Sequence, residues 1–131
     1  MIEIQRDFPV RPYDVDASGA VGSISYVRWL EDLRAELFQK SSRARILFER
    51  NLSLTLARTE LDYRAALQPQ DQSSGHMQLL KIGRSSATFY TTFRNRDNIL
   101  VAEARQVCVF VDAATRKPVP LPDEVRSLLE G

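Results

Sequence analysis

Cysteine and histidine are almost absent from this chain, which has 131 residues but only one of each. The lone cysteine, Cys108, cannot form a disulfide within the chain, and it suits a reducing compartment such as the cytoplasm. One cysteine and one histidine also cannot assemble a zinc site of the usual Cys/His kind. We therefore expect no metal and no other cofactor. Cys108 lies among valines, so we expect it to be a small core residue.

Excess charge and long apolar runs are absent as well. Lys and Arg total 18 and Asp and Glu total 17, and this near balance argues against a nucleic-acid-binding protein, which needs a basic face. No stretch approaches the length of a membrane span. The first residues, 1–7, lack the apolar core of a signal peptide. These absences predict a cytoplasmic protein with no nucleic-acid partner and no membrane span.

The length suits a single domain that covers residues 1–131. Alternating apolar residues predict strands, and apolar residues three and four apart predict helices. The strands are expected at 2–10, 52–63, 77–81, 87–92 and 99–112, and the helices at 25–40, 43–50 and 123–129. A shift in the apolar alternation between Leu56 and Leu61 predicts either a bulge or a strand with both faces covered. This order indicates an α+β fold in which an antiparallel sheet curls around one long helix.

The chemistry is concentrated in one stretch, Tyr13–Asp32, where Asp-Val-Asp precedes a glycine-containing loop and then a helix. The glycines allow a sharp turn, and Ser23 or Ser25 is expected to cap the helix. The Asp16 carboxylate is thereby placed beside free N–H groups at the positive end of the helix dipole. Such a helix end can stabilise an oxyanion as it forms. Asp16 can act beside it as a base or a nucleophile.

This stretch resembles the 4-hydroxybenzoyl-CoA thioesterase-like branch of the hotdog-fold thioesterases, which includes small bacterial acyl-CoA thioesterases associated with the Tol-Pal system. The hallmarks present are the pair Asp14-Val15-Asp16, a small-residue loop, and Tyr26 ten positions after the second aspartate. Segments 61–63, 81–86 and 111–122 resemble later parts of the family pattern, in order, so the resemblance covers nearly the whole chain. It implies a hotdog fold, a five-stranded antiparallel sheet wrapped around one long central helix.

By this resemblance the protein is an acyl-CoA thioesterase, which hydrolyses a thioester to the free acid and CoA. Asp16 would be the catalytic carboxylate, and the backbone N–H of Ser23 would polarise the thioester carbonyl. The family implies a homodimer with active sites between subunits, often paired again into a homotetramer. Candidate substrate-binding residues are Gly22, Tyr26, Glu31, Lys81 and Arg84, of which the last two flank one turn and could meet CoA phosphates.

Structural roles stay open for several of these residues. Asp-x-Asp before a glycine is common in turns, where carboxylates accept bonds from backbone N–H groups. Asp14 fits that role better than catalysis, whereas Asp16 fits catalysis better once the resemblance is counted. Glu31 also fits a helix-surface or interface acid. Lys81 and Arg84 also fit a charged strand end that resists aggregation.

Three other functions are open. An acyl-ACP thioesterase would act on the same thioester, presented on a phosphopantetheine arm. A non-catalytic acyl-CoA-binding hotdog protein would keep the fold without the chemistry, although the presence of Asp16 argues against it. A hotdog dehydratase or hydratase would, by resemblance, need a catalytic histidine near the central helix. The lone histidine, His76, is expected at the surface in a polar turn far from that helix in sequence.

Overall fold

The computed structural model describes residues 2–131 and contains one sheet and three helices in that range. A 3-10 turn at Pro12–Asp14 follows the first strand. The strands are β1 Glu3–Pro9, β2 Leu52–Tyr63, β3 Gln72–Ile82, β4 Ser86–Arg94 and β5 Leu100–Asp112, and the helices are α1 Ser23–Lys40, α2 Ile46–Glu49 and α3 Asp123–Glu130.

The five strands form an antiparallel sheet in the order β1-β3-β4-β5-β2. The two edge strands are therefore β1 and β2. The pairing of β2 with β5 shifts register between Leu56 and Arg58, which confirms the bulge. The α+β class and the five-stranded antiparallel sheet are confirmed.

Helix α1 has 18 residues and buries one apolar face against the sheet. Trp29 stacks on Phe8 of β1, with ring centroids 5.2 Å apart. Gly75 of β3 permits the closest approach, because a Cβ atom there would lie 3.0 Å from Leu33 Cδ1. The fully buried or nearly buried apolar residues of α1 are Tyr26, Trp29, Leu30, Leu33 and Leu37.

The main difference from the sequence expectation is at β3, which begins at Gln72 rather than at position 77. The segment 72–76 is polar and contains a glycine, so it was expected to be a connection. It instead pairs with β1, from Pro9 opposite Gln72 to Gln5 opposite His76. His76 therefore lies within a strand, with its Nε2 atom 3.5 Å from Glu3 Oε1. Within residues 2–131 no helix is long and apolar enough to cross a membrane.

Candidate active site

Asp14 stabilises the loop that precedes α1 through hydrogen bonds. Its buried carboxylate accepts hydrogen bonds from Arg11 N at 2.7 Å and from Ser25 Oγ at 2.6 Å. Its carbonyl oxygen accepts a bond from Gly22 N at 2.9 Å. The expected serine cap is wrong, because Gly22 is the N-cap residue of α1 and no side chain caps it. The Ser25 hydroxyl is used to hold Asp14, which has the turn role expected from the sequence.

A tight reversal after Asp14 presents Asp16 at the tip of the loop. Asp16 N donates to Ala20 O at 2.9 Å, and Gly19 N donates to Asp16 O at 3.0 Å. Gly19 has φ +86°, a backbone conformation that side chains with a Cβ atom rarely adopt. Val15 and Val21 form a bridge on either side of this reversal. The loop is therefore closed by its own backbone, and the Asp16 side chain is left exposed.

The Asp16 carboxylate is held in its ionised form. Its Oδ1 atom accepts bonds from the Ser18 hydroxyl and, at 2.8 Å, from Ser18 N. These donors, the hydroxyl first, lower the pKa of Asp16 below its ordinary value. Asp16 also lies directly against Gly22, where a Cβ atom would be 3.0 Å from Asp16 Oδ2. The carboxylate thus sits at the N-cap of α1, as the sequence predicted.

Ser23 is the first residue of α1, and its backbone N–H has no hydrogen-bond acceptor in the described part of the chain. A first-turn N–H of a helix lacks an acceptor within the helix and points towards the positive end of the dipole. Asp16, Gly22, Ser23 and Tyr26 all line one open depression of about 500 Å³. A free donor and an ionised carboxylate therefore face the same space.

Tyr26 forms the inner wall of this depression. It is 2% exposed, and its ring makes edge contacts with Trp29 and Tyr63, at centroid separations of 5.3 and 5.6 Å. Burial, with smaller contributions from Tyr63 and Asp71, raises the pKa of Tyr26 to about 12. Tyr26 is therefore a neutral phenol over the physiological range, and it is a core residue as well as a wall of the depression.

Three of the predicted substrate-binding residues lie elsewhere in the protomer. Glu31 pairs with Arg34 and lines a second cavity, between α1 and β2. Lys81 and Arg84 are exposed and lie at the turn between β3 and β4. The Asp16 loop is joined to the other end of β3, since Pro9 pairs with Gln72 there. Within one protomer the structure does not bring these three residues to Asp16.

The far wall of the depression is a segment that the sequence did not single out. Tyr63, Arg64 and Leu67 belong to it, together with the two alanines between them. Val21 N donates to Leu67 O at 3.0 Å, and Arg64 N donates to Val101 O at 2.8 Å, so both ends of the segment are fixed. The family pattern marks Tyr63, at the end of segment 61–63, but not Arg64 or Leu67, and only the tertiary pairing brings this segment to the Asp16 loop.

No group of three or more His, Cys, Asp or Glu residues within 2–131 is arranged to hold a metal ion. Besides Tyr63 and Arg64 on the far wall, the Asp16 carboxylate, the Ser18 hydroxyl and the Ser23 N–H converge on the depression. This set can bind and polarise a carbonyl oxygen and can supply a negatively charged base or nucleophile. Such chemistry suits an acyl transfer to water.

Comparisons with known proteins agree with this chemistry. The acyl-CoA thioester hydrolase YbgC of Escherichia coli O157:H7 is 29% identical over 122 residues, which are 90% of this chain and 90% of that protein. The solved structure of the probable thioesterase YbaW from Escherichia coli superimposes with a TM-score of 0.87 at 23% identity, over 99% of this chain and 97% of that one. A 12:0-ACP thioesterase from Umbellularia californica matches with a TM-score of 0.83 at 15% identity, over 98% of this chain and 52% of that one.

These structural likenesses confirm the hotdog fold. The family model and the similarity to YbgC confirm the expectation of a thioester hydrolase. The family model described as the thioesterase-like superfamily matches residues 10–129. The match covers all the elements that build the depression, from the Asp16 loop to the segment around Arg64. This chain therefore belongs to the thioesterase-like superfamily.

Proposed function

We propose that this protein is an acyl-CoA thioesterase in which Asp16 is the catalytic carboxylate. The observation that carries the proposal is the depression shared by an ionised Asp16 and the free N–H of Ser23. The similarity to a protein named acyl-CoA thioester hydrolase supports CoA as the carrier of the acyl group. Water and the thioester are converted to a carboxylic acid and CoA.

The thioester carbonyl oxygen accepts a hydrogen bond from Ser23 N–H, where the helix dipole favours negative charge. Asp16 then either attacks the carbonyl carbon or takes a proton from a water molecule that attacks it. If Asp16 attacks, the C–S bond breaks as an acyl-aspartyl anhydride forms, and water then cleaves the anhydride and restores the carboxylate. If Asp16 is the base, water adds to the carbonyl carbon and the C–S bond breaks directly. In both routes the sulfur leaves as a thiolate and takes up a proton that derives from water. Gly22 is needed because any side chain there would push the Asp16 carboxylate away.

The substrate also needs a site for its carrier. Lys81 and Arg84 are proposed to bind the CoA phosphates, and Glu31 and Tyr26 to line the path of the acyl group. Acyl-ACP presents the same thioester and is the alternative substrate. In a non-catalytic acyl-CoA-binding protein, the second alternative, Asp16 would have no catalytic role. The protein is proposed to work in the cytoplasm as a homodimer or homotetramer, which suits its exposed edge strand and its lone buried cysteine.

The test is the substitution Asp16→Asn, assayed by thiol release from acyl-CoA and acyl-ACP. Asparagine keeps the shape and one acceptor oxygen for Ser18, but it carries no charge and cannot serve as base or nucleophile. A positioned base typically contributes ~10²–10⁴-fold, so kcat is expected to fall by that amount or more. The melting temperature is expected to stay near that of the wild type, since the Asp16 side chain is exposed.

Two other aspartates make the result interpretable. Asp97→Asn alters an exposed carboxylate in the β4–β5 turn and is expected to leave kcat unchanged. Asp14→Asn removes one of two buried acceptor oxygens and is expected to lower the melting temperature. Near wild-type kcat for Asp16→Asn would refute the catalytic assignment. Loss of folding by that variant would give Asp16 a structural role instead.

A further inference from the structure

A cavity of about 350 Å³ lies where α1, α2 and the start of β2 meet, and the catalytic chemistry does not use it. Its apolar side chains come from all three elements, and Phe48 is largely exposed beside them. A cavity of this size with aromatic and aliphatic walls is typical of a site for an apolar ligand group. The apolar lining residues are Ala35, Phe38, Leu47, Phe48, Leu52 and Leu54.

The cavity and the Asp16 depression lie along one stripe of α1. At 3.6 residues per turn, Ser23, Val27, Arg34 and Phe38 fall within an arc of about 60° on the helix surface. Ser23 lines the depression, while Arg34 and Phe38 line the cavity. Val27 lies between the two and is 44% exposed, although it is apolar. The stripe therefore connects the carbonyl-binding N–H to the cavity, with Val27 as an apolar contact in its first half and the Arg34–Glu31 pair in its second.

Strand β2 runs beside this stripe in the opposite direction. Tyr63, at its end, contacts Tyr26 near the depression. In its middle, Thr59 accepts a bond from Gln106, which in turn accepts one from Arg34 at 3.2 Å. Leu54, near its start, lines the cavity. Helix α1 and strand β2 are thus linked at three points between the two sites: near the depression, at the middle of the strand and at the cavity.

The charged pair at the mouth of the cavity does not oppose an apolar ligand. Arg34 is bonded to Glu31 and to the buried Gln106, and its side chain is only 14% exposed. The two charges compensate each other, so an acyl chain that passes them meets no unpaired charge. The aliphatic stem of Arg34 offers apolar contact at the same point.

We propose that the α1–α2 cavity binds the distal end of the substrate acyl group, and that the natural substrates are thioesters of straight-chain fatty acids. This inference rests on the proposed function. Eight to eleven residues separate Ser23 from Glu31 and Arg34, which is ~12–16 Å along the helix. An extended chain advances ~1.2 Å per bond. An acyl chain of about ten to fourteen carbons is therefore needed to reach the cavity.

The test measures kcat/KM for saturated acyl-CoA substrates of four, eight, twelve and sixteen carbons. Each methylene group of the acyl chain that enters the cavity is expected to raise kcat/KM by about fourfold. Ala35→Trp fills the cavity and is expected to lower kcat/KM for the twelve-carbon substrate at least tenfold while leaving the four-carbon substrate unchanged. Ala114→Trp, in an exposed turn, is the matched control and is expected to change neither.

A chain-length profile that is flat would overturn this inference while leaving the thioesterase proposal intact. So would an equal loss on both substrates in Ala35→Trp. Failure to cleave any acyl-CoA would count against the proposed function instead. In that case the binding of dodecanoate to Asp16→Asn, measured by calorimetry, tests whether the cavity holds an acyl chain. Dodecanoate is expected to bind, and Ala35→Trp is expected to abolish binding. No binding would overturn the assignment of the cavity to the acyl chain. A changed oligomeric state in Ala35→Trp would show instead that the cavity serves a subunit contact.

Discussion

Two aspartates separated by a single valine have opposite environments in this protein. Asp14 is 4% exposed and accepts bonds from Arg11 N and Ser25 Oγ, so its substitution should affect folding. Asp16 is exposed and bonded only within its own turn. The sequence favoured these separate roles through the family resemblance. Spacing alone could not assign them, because both residues fit a turn equally well.

At the residue scale, Ser18 is expected to set the acid limit of activity. Its hydroxyl is the largest cause of the lowered pKa of Asp16. Ser18→Ala removes that donor, so the pKa of Asp16 should rise towards its ordinary value of 3.8. Because the mechanism needs ionised Asp16, the acidic limb of kcat/KM against pH should move to higher pH, with little change at neutral pH.

The measurement is a pH profile of kcat/KM for wild type, Ser18→Ala and Ser18→Thr. Threonine keeps the hydroxyl and is expected to restore the position of the acidic limb. If the limb stays at the same pH in Ser18→Ala, either the Ser18 bond does not hold the Asp16 charge or a different group controls the limb.

At the scale of elements, the strands with clear alternation were predictable, and the start of β3 was not. Ser73 and Gly75 are buried there because helix α1 comes close, with Leu33 against the glycine. Small and polar residues at a close approach have the composition of a turn, so the first five residues of the strand, 72–76, were not predicted. The far wall of the active site was missed for a related reason, since the segment around Arg64 reaches Asp16 only through tertiary pairing.

The β3–β4 turn is expected to bind the carrier, although it is far from Asp16 in the same protomer. Neither Lys81 nor Arg84 forms an ion pair with a residue in 2–131. The turn itself is fixed by Arg126 of α3, which donates to Gly83 O at 2.8 Å. The ten strand residues from Gln72 to Lys81 span ~30 Å. This turn would therefore serve the active site of a neighbouring subunit.

The double variant Lys81→Gln/Arg84→Gln is expected to raise KM for acyl-CoA several-fold with kcat nearly unchanged, which is the signature of lost uniform binding. The loss should shrink for an acyl-pantetheine substrate, which has no phosphates. Arg43→Gln/Arg45→Gln removes equal charge from the α1–α2 connection and should leave KM unchanged. An unaltered KM in the first variant would show that Lys81 and Arg84 do not bind CoA and are only a charged, solvated strand end.

At the scale of the molecule, the sheet has two edges, β1 and β2, of which β2 is the longer, with 12 residues against 7. Residues 55–60 of β2 are all exposed, and the strand pairs with β5 alone. A long unpaired edge is a liability that proteins cover or pair. Exposed apolar side chains lie near it on both elements of the acyl path, including Leu56, Tyr63 and Val27. The sequence predicted assembly from the family resemblance, whereas the strand order and the exposed apolar residues of the folded chain favour β2 over β1 as the edge that pairs.

We expect two protomers to pair through β2 in a two-fold dimer, which brings the β3–β4 turn of one within reach of its partner's site. Light scattering at micromolar concentration should give two or four times the protomer mass of 14.9 kDa. Ala57→Pro places a proline, which has no N–H, at the bulge of the edge strand and should shift the protein towards monomer. Ala57→Val keeps that N–H and should stay assembled. A wild-type protein that is monomeric under these conditions would contradict the dimer, and it would also remove the reason for Lys81 and Arg84 to affect KM.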